Sequence, residues 1–339
     1  MGQNNQSRPL TPEEKLTLCS LADPLAPSPP IYKILACDYK ILVNAIGHHG
    51  IEPVALRKLK ALNGDIHEDI TNFIDQASQR QLVANAMSMT LENYARDIFS
   101  SIAETSTQAA IVKGPVFAAH LYPHLSDRPF TDIDILSTQS QLATIGKLLK
   151  NLGFRQAKRE FFDRSQANME QKWIRDDNAN ILIELHTNLV HYPNLRKRLS
   201  FGHKQYQLAS HEGRYPGAAN FLVAVVHAAA GHKFHKLQLL VDVLQAFRKL
   251  EPDDIGSLEQ TLEKIPARLE VLICLDLIQD LFEDVETLET SRQLAGKTKF
   301  DLPRKLINAD LVLDTFFDSG HKSRLRRHGF RFVQNWSSR

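Results

Sequence analysis

The sequence is poor in the residue types that mark several classes of protein. Its 339 residues include only three cysteines, Cys19, Cys37 and Cys274, which form neither a Cys-x-x-Cys pair nor an even framework. This usage excludes a disulfide scaffold and a cysteine-ligated zinc cluster, and it predicts a reducing compartment, the cytoplasm. Because no run of about 18 uncharged apolar residues and no apolar signal core occur, we expect neither a membrane span nor a membrane partner.

Charge of either sign is not in excess. The chain has 41 lysines and arginines against 39 acids, a net charge of +2. This balance gives no general case for a nucleic-acid or membrane protein, so that only a local patch could provide one. The hydrophobic fraction of 43% is ordinary for a globular protein, and the length allows two or three domains.

The segment TDIDIL is the one around which the rest of the chain is organised. In it, Asp132 and Asp134 alternate with Ile133 and Ile135. A strand repeats its side-chain direction every second residue, so the two carboxylates share one face while the isoleucines enter the core. Such a pair of like charges is unfavourable unless a cation lies between them. Mg²⁺ fits, with Mn²⁺ as the alternative, because it is usually held by one or two carboxylates plus substrate phosphates.

A second signal lies directly upstream of the two aspartates. The apolar run 109–112 predicts a buried strand, and it ends in Lys113-Gly114. A glycine at this place lets a phosphate approach the backbone, and the neighbouring lysine supplies a counter-charge. Lys113 and Gly114 are therefore candidate nucleotide-binding residues.

A glycine turn after a strand, a helix, and a strand with Asp-h-Asp, where h is apolar, together resemble the core of the polymerase-β-like nucleotidyltransferase superfamily. Within it, the motifs look most like a branch of uncharacterised nucleotidyltransferases. That branch carries Lys-Gly, Tyr-Pro, Arg-Pro and Asp-h-Asp-h-Leu in this order, which stand here as Lys113-Gly114, Tyr122-Pro123, Arg128-Pro129 and the segment DIDIL. The resemblance implies an α+β fold, with a small mixed sheet and flanking helices set between helical N-terminal and C-terminal parts. Lys-Gly in place of the usual Gly-Ser or Gly-Gly, and a longer gap before the aspartates, leave the donor nucleotide open.

A third acid lies on a later predicted strand, in the segment NILIELHTNL. Its alternation places Glu184 and His186 on the face opposite Ile183 and Leu185. The superfamily carries a further carboxylate on a strand beside the Asp-h-Asp strand, so the resemblance implies that Glu184 joins Asp132 and Asp134 as a catalytic residue and metal ligand. Alternatively, Glu184 faces solvent at a strand edge. His186 either contacts the base or acceptor or satisfies a hydrogen bond in the core.

Basic residues outside this strand pair are candidates for binding the triphosphate. The Arg128 guanidinium can engage two phosphate oxygens at once; its alternative is a structural salt bridge to Asp127 or to the aspartates. The resemblance implies that a lysine of the second domain, Lys233 or Lys236, closes over the triphosphate. Otherwise both lysines are solvated.

Composition and periodicity divide the chain into four parts. Residues 1–30 are a polar, proline-bearing lead-in that is loose or ordered on contact. Residues 31–108 form a helical N-terminal subdomain, and residues 201–339 form a helical C-terminal domain with a basic tail. The resemblance implies that residues 109–200 between them are the nucleotidyltransferase core.

Several helix features are predicted in more detail. Leu82 and Met89 belong to the apolar positions of the long helix that precedes the sheet. Thr138 and Gln141 form a capping box after the Asp-h-Asp strand. A long helical stretch covers residues 218–250 and either continues through its glycine or breaks there.

The histidines of the C-terminal part and its basic tail receive no assigned role. A metal site formed by His235 and Asp242 would lack a third ligand on the same helix face. The sequence therefore assigns no function to His227, His232 and His235. The tail from residue 321 combines arginines with aromatic residues and has no acid. Such a tail can bind nucleic acid, but it more often packs its aromatic side chains on the domain, so nucleic acid is the less favoured partner.

The resulting hypothesis is Mg²⁺-dependent transfer of a nucleoside monophosphate from a nucleoside triphosphate, with release of pyrophosphate. The acceptor is a hydroxyl or phosphate group on an unidentified small molecule, protein or RNA. One alternative is a glycosyltransferase that uses Asp-x-Asp to hold a metal and a nucleotide-sugar. The other is a non-catalytic module that binds nucleotide or regulates a partner.

Overall fold

A computed structural model describes residues 8–62, 67–105, 107–157, 169–177, 180–210, 217–295, 304–314 and 321–336. The N-terminal part is helical. Its helices are α1 (Pro12–Ala22), α2 (Ile31–Leu35), α3 (Tyr39–His49), α4 (Glu52–Lys60) and α5 (Glu68–Glu104).

A mixed sheet follows these helices. Its strands are β1 (Ala109–Val112), β2 (Asp132–Ser137), β3 (Phe154–Gln156), β4 (Glu170–Arg175) and β5 (Leu182–His186), and helices α6 (Gly114–Leu121) and α7 (Leu142–Asn151) lie between them in the chain. The order across the sheet is β1-β2-β5-β4-β3, in which only the β2–β5 pair is parallel. This small mixed sheet with flanking helices confirms the α+β fold expected from the sequence.

The C-terminal part is again helical. Its helices are α8 (Pro193–Arg196), α9 (His203–Ala209), α10 (Gly217–Val226), α11 (Leu237–Phe247), α12 (Pro252–Lys264), α13 (Arg268–Phe282), α14 (Val285–Ala295), a short helix at Ala309–Leu313 and the C-terminal helix His321–Trp336. Within the described ranges, no helix combines the length and the apolar run needed to cross a membrane.

The lead-in is ordered where the structure describes it. Thr11 and Glu14 form a capping box at the start of α1, and Arg8 donates two hydrogen bonds of 2.7 Å to the Glu14 carboxylate. Helix α1 buries Leu18 and Leu21 completely. These side chains belong to a core that also contains side chains of α10, α11 and α13, so the N-terminal and C-terminal helices share one apolar interior.

The sheet has a separate apolar core on one face. Ile133 and Ile183 are fully buried there, and Trp173 of β4 is almost fully buried. Side chains from the second half of α5 and from α7, including Leu91 and Ile145, complete this cluster. Covering one face of the sheet with these helices leaves the polar face free to carry the functional groups.

Two details of the predicted helices are wrong. Leu82 and Met89 are 71% and 67% exposed, because α5 joins two separate cores, with Ala77 buried in one and Leu91 in the other, and the positions between them meet neither core. Thr138 makes no capping hydrogen bond to the helix. Its hydroxyl lies 3.1 Å from that of Ser140, and a single 3₁₀ turn, Gln139–Gln141, leads into α7.

The predicted helical stretch over residues 218–250 breaks in the middle. Helix α10 ends in one π-helical turn, His227–Gly231, after which Lys233 and Phe234 have φ values of 52° and 58°. L-residues rarely adopt such left-handed angles, and a helix cannot continue through them. The chain therefore restarts as α11 in a new direction, and the turn between the two helices faces the polar side of the sheet.

Candidate active site

The register of the sheet brings the acids of three strands together on its polar face. Asp134 of β2 lies opposite Glu184 of β5 in the parallel pair. On the other side of β5, Glu184 lies opposite Lys172 and His186 opposite Glu170. Strand alternation directs these side chains to one face, as the sequence predicts for Asp132, Asp134 and Glu184, while the intervening isoleucines and leucine enter the core.

Asp134 lies at the centre of this group and is almost fully buried. Its Oδ1 atom lies 2.7 Å from the Lys113 ammonium and accepts a hydrogen bond of 2.9 Å from His186 Nε2. Burial by itself would raise the pKa of Asp134, but these two cationic partners outweigh it and hold the pKa well below the usual range. Asp134 is therefore a carboxylate at any pH near neutrality.

Glu184 and His186 form the second half of this network. The Lys172 ammonium lies 2.6 Å from Glu184 Oε1, and His186 Nε2 lies 3.5 Å from Glu184 Oε2. Against the effect of burial, His186 and Lys172 lower the pKa of Glu184 to about 2. Burial would also lower the pKa of His186, but its hydrogen bond to Asp134 and the nearby Glu184 carboxylate raise it to about 9, so the imidazole is a cation here.

Asp132 has a different electrostatic environment. Burial, together with the charges of Asp134 and Glu184, raises its pKa to about 6. The cations of the network are engaged mainly by the other two carboxylates, so Asp132 adds negative charge that these cations only partly offset. A further cation near Asp132 would relieve this repulsion.

The Lys113-Gly114 turn holds the lysine against Asp134. Lys113 has a φ of 55° and a ψ of −146°, a conformation that costs a non-glycine residue on the order of 1–3 kcal/mol. Gly114 has a φ of 34°, and a Cβ atom added to it would lie 3.0 Å from the backbone oxygen of Asp132. The turn thus packs directly on β2 and opens α6, in which Val116 and Phe117 donate their backbone N–H groups to the Lys113 carbonyl oxygen.

A cavity of 360 Å³ lies over this face of the sheet. Its floor is the acidic group, and its opposite wall comes from the segment after β5 and from the π-helical turn. The lining residues are Lys113, Asp132, Glu170, Glu184, His186, Leu189, His191, Tyr192, His227, Gly231 and His232. A larger groove of 570 Å³ lies against α5 and α6, but the only ionisable residues in its lining are Glu92 and His124, so we place the site in the smaller cavity.

The C-terminal tail supports the wall of this cavity. Phe330 is fully buried, and the Arg331 guanidinium donates a 2.7 Å hydrogen bond to the Ala230 carbonyl oxygen. The same guanidinium stacks over the Tyr192 ring, with its central carbon 4.4 Å from the ring centroid. At these positions, the basic and aromatic residues of the tail pack against the domain.

Three other candidate residues lie apart from the acids. The Arg128 guanidinium is paired with Asp242 of α11 through bonds of 2.8 and 3.0 Å, and not with Asp127, Asp132 or Asp134. Lys233 lies over the Tyr192 ring, and Lys236 precedes α11 at the surface. None of the three lines the cavity, and their contact with a triphosphate stays a prediction.

The structure also adds residues that the sequence left unassigned. Glu170, Lys172 and His191 belong to the network, and His227 and His232 line the cavity with their ring nitrogens 3.1 Å apart. The alternation of Glu170 and Lys172 along β4 is the only local signal for any of them. This alternation indicates that β4 has a polar face, but it does not indicate which strand pairs with β4.

The donor atoms of the site fit a divalent cation. Asp134 and Glu184 each offer a carboxylate oxygen, and these two atoms lie within 4.8 Å of each other and of a ring nitrogen of His186. Asp132 lines the same cavity from the same strand face. Carboxylate oxygens of this kind are the protein ligands that Mg²⁺ prefers.

The fold and the arrangement of the site are those of a nucleotidyltransferase core. A family model described as uncharacterised nucleotidyltransferase matches residues 37–283, which include the whole sheet and the cavity. The chain belongs to this family of uncharacterised nucleotidyltransferases. Comparisons with curated proteins and with solved structures give no match.

Proposed function

We propose that the protein transfers a nucleoside monophosphate from a nucleoside triphosphate to a hydroxyl or phosphate acceptor in a Mg²⁺-dependent reaction. The acceptor oxygen would form a bond to the α-phosphorus as the bond to the bridging oxygen breaks, and pyrophosphate would leave. One observation carries the proposal: Asp132 and Glu184 line a cavity together with Lys113, and Asp134 lies beside them on the same face of the sheet, 2.7 Å from the Lys113 ammonium. This is the juxtaposition that triphosphate chemistry needs.

The side chains have distinct parts in this proposal. Asp132, Asp134 and Glu184 would hold the metal, which when bound would offset the charge of the triphosphate and lower the pKa of the attacking hydroxyl. The protonated ring of His186 fixes the orientation of Asp134 through its 2.9 Å hydrogen bond and lies 3.5 Å from the Glu184 carboxylate. Lys113, with the backbone of Gly114 beside it, would bind the phosphates.

One observation favours the non-catalytic alternative. Asp134 is already paired with two cationic groups, Lys113 at 2.7 Å and His186 at 2.9 Å. A fixed ammonium that neutralises this carboxylate would suit a module that binds nucleotide without turnover. The glycosyltransferase alternative, in contrast, has no support from the family to which the chain belongs.

The test is equilibrium binding of ATP, GTP, CTP and UTP, each with and without Mg²⁺, to the native chain and to an Asp132→Ala/Asp134→Ala variant. We expect one triphosphate to bind the native chain only when Mg²⁺ is present, and the variant to lose this binding. An Asp75→Ala variant is the matched control, because it removes an exposed carboxylate from α5. Equal binding by the double variant and the native chain would refute the metal site.

Turnover separates the catalytic reading from the binding module. Pyrophosphate release in the presence of the bound triphosphate and a panel of acceptors should be abolished by Asp134→Ala in a protein that remains folded by circular dichroism. A folded Asp134→Ala protein that still releases pyrophosphate would end the assignment. Mg²⁺-dependent binding without turnover across the panel would support the module, and sugar release from a nucleotide-sugar would support the glycosyltransferase.

A further inference from the structure

Two buried imidazole nitrogens beside the acidic group have no hydrogen-bond partner in the described part of the chain. They are Nδ1 of His186 and Nδ1 of His191. Both face the same atom, Oε2 of Glu170, at 4.0 and 3.5 Å. These separations are too long for normal hydrogen bonds, and a buried polar atom without a partner costs on the order of 1–3 kcal/mol. A ligand between the three atoms would remove this cost.

The surroundings of each atom prepare it to bind a metal ion. The other ring nitrogen of His186 donates to Asp134 at 2.9 Å, and a metal-bound histidine usually donates its second N–H to a carboxylate in this way. The other oxygen of Glu170 lies 3.3 Å from the Lys172 ammonium. The His191 ring packs edge-on against the His186 ring, with the two ring centroids 5.6 Å apart.

The spacing is near that of coordinated ligands: Glu170 Oε2 lies 3.5 Å from His191 Nδ1 and 4.0 Å from His186 Nδ1. Glu170, His186 and His191 each offer one ligand atom, and these atoms lie within 4.8 Å of one another. Around a tetrahedral ion with bonds of about 2.0–2.1 Å, neighbouring ligand atoms are roughly 3.4 Å apart. Two imidazoles with one carboxylate form a ligand set found in catalytic zinc sites, whereas Mg²⁺ prefers oxygen ligands alone.

We infer that Glu170, His186 and His191 bind a transition-metal ion of the zinc class, at a position separate from that of Mg²⁺ on Asp132, Asp134 and Glu184. All three ligands line the 360 Å³ cavity, so the remaining coordination position opens into it. The bound ion takes the place of the proton on His186 Nδ1. The positive charge of the ion is attracted by the same carboxylates that stabilise the protonated ring. Metal uptake therefore releases a proton.

The experiment measures the metal directly and needs no nucleotide and no turnover, so its outcome is independent of the proposed transferase activity. The full-length protein is stripped with a chelator and titrated with Zn²⁺, and separately with Co²⁺, in excess Mg²⁺. We expect one Zn²⁺ per chain by elemental analysis and a visible Co²⁺ absorption typical of fewer than six ligands. His191→Ala and Glu170→Gln should each weaken Zn²⁺ binding by at least about tenfold.

Two controls make the result specific. Asp132→Ala removes a carboxylate of the Mg²⁺ position and should leave Zn²⁺ binding in place, and His124→Ala removes an exposed histidine and should do the same. Circular dichroism of the metal-free variants checks their fold; if His191→Ala does not fold, Glu170→Gln decides, because it keeps the size of the side chain. Displacement of Zn²⁺ by Mg²⁺, or unchanged Zn²⁺ affinity in the folded ligand variants, would overturn the inference.

Discussion

The ion pair between Arg128 and Asp242 gives the sharpest test of how this structure is held together. The sequence offers two readings of Arg128, a phosphate ligand or a structural salt bridge, and the structure shows it bonded to Asp242 through Nε at 2.8 Å and through a terminal nitrogen at 3.0 Å. Asp242 is 1% exposed and also accepts a 2.6 Å hydrogen bond from the Tyr122 hydroxyl. The perturbation is Arg128→Met, which keeps the volume of the side chain and removes its charge.

The expected effect follows from the burial of the partner. Without Arg128, the Asp242 carboxylate is a buried charge with only neutral hydrogen-bond donors, Tyr122 and Gln238, beside it. Breaking a buried ion pair in this way costs about 3–5 kcal/mol of the free energy of unfolding. Replacing both partners, as in Arg128→Met/Asp242→Asn, removes the stranded charge and should recover most of this loss, because a buried pair is often no more stabilising than neutral groups of similar volume.

Urea denaturation followed by circular dichroism measures both variants, and Mg²⁺-dependent nucleotide titration of the double variant addresses the second reading. A loss below about 1 kcal/mol for Arg128→Met, or no recovery in the double variant, would refute the reasoning. If the double variant is stable and binds nucleotide as the native chain does, Arg128 is a structural residue. If it is stable and binds nucleotide weakly, Arg128 also contacts the phosphates.

Two further predictions concern Gly114 and His49. Gly114→Ala should lower the free energy of unfolding by about 1–2 kcal/mol and weaken nucleotide binding. The reason is that the added Cβ would lie 3.0 Å from the Asp132 carbonyl oxygen, at a backbone φ of 34°. Urea denaturation and nucleotide titration measure the two effects, and values unchanged from those of the native chain would contradict the prediction. Burial lowers the pKa of His49 from 6.5 to about 4. The neutral ring therefore contributes fully to the free energy of unfolding above pH 6.5. This contribution, about 3 kcal/mol, is lost as the pH falls through 4. The stability difference between native and His49→Gln protein should shrink over this range, and a difference independent of pH would show that the ring does not titrate with folding.

The candidate site could be predicted from the sequence where a single strand determines it. Alternation alone places Asp132 and Asp134 on one face and Glu184 on the corresponding face of its own strand, and the structure shows this arrangement. The Lys113-Gly114 turn could also be predicted, because a glycine after an apolar strand is a local signal. The α+β fold came from the order of these motifs.

Partners that come from distant parts of the chain could not be predicted. Arg128 meets Asp242 across 114 residues, and the pairing depends on how α11 packs after the π-helical turn. The exposure of Leu82 has the same origin, because helical periodicity marks an apolar position but not whether another element covers it.

The sequence by itself thus determined the secondary structure of the core, the direction of its acidic side chains and the family to which the chain belongs. Only the tertiary structure decided which charges neutralise those acids, that a histidine wall closes the cavity, and that Glu170 and His191 meet beside His186. The physical reason is that side-chain direction along a strand is fixed by backbone geometry over a few residues. Strand order and helix packing, in contrast, depend on the free energy of burying the whole core, which no local pattern contains.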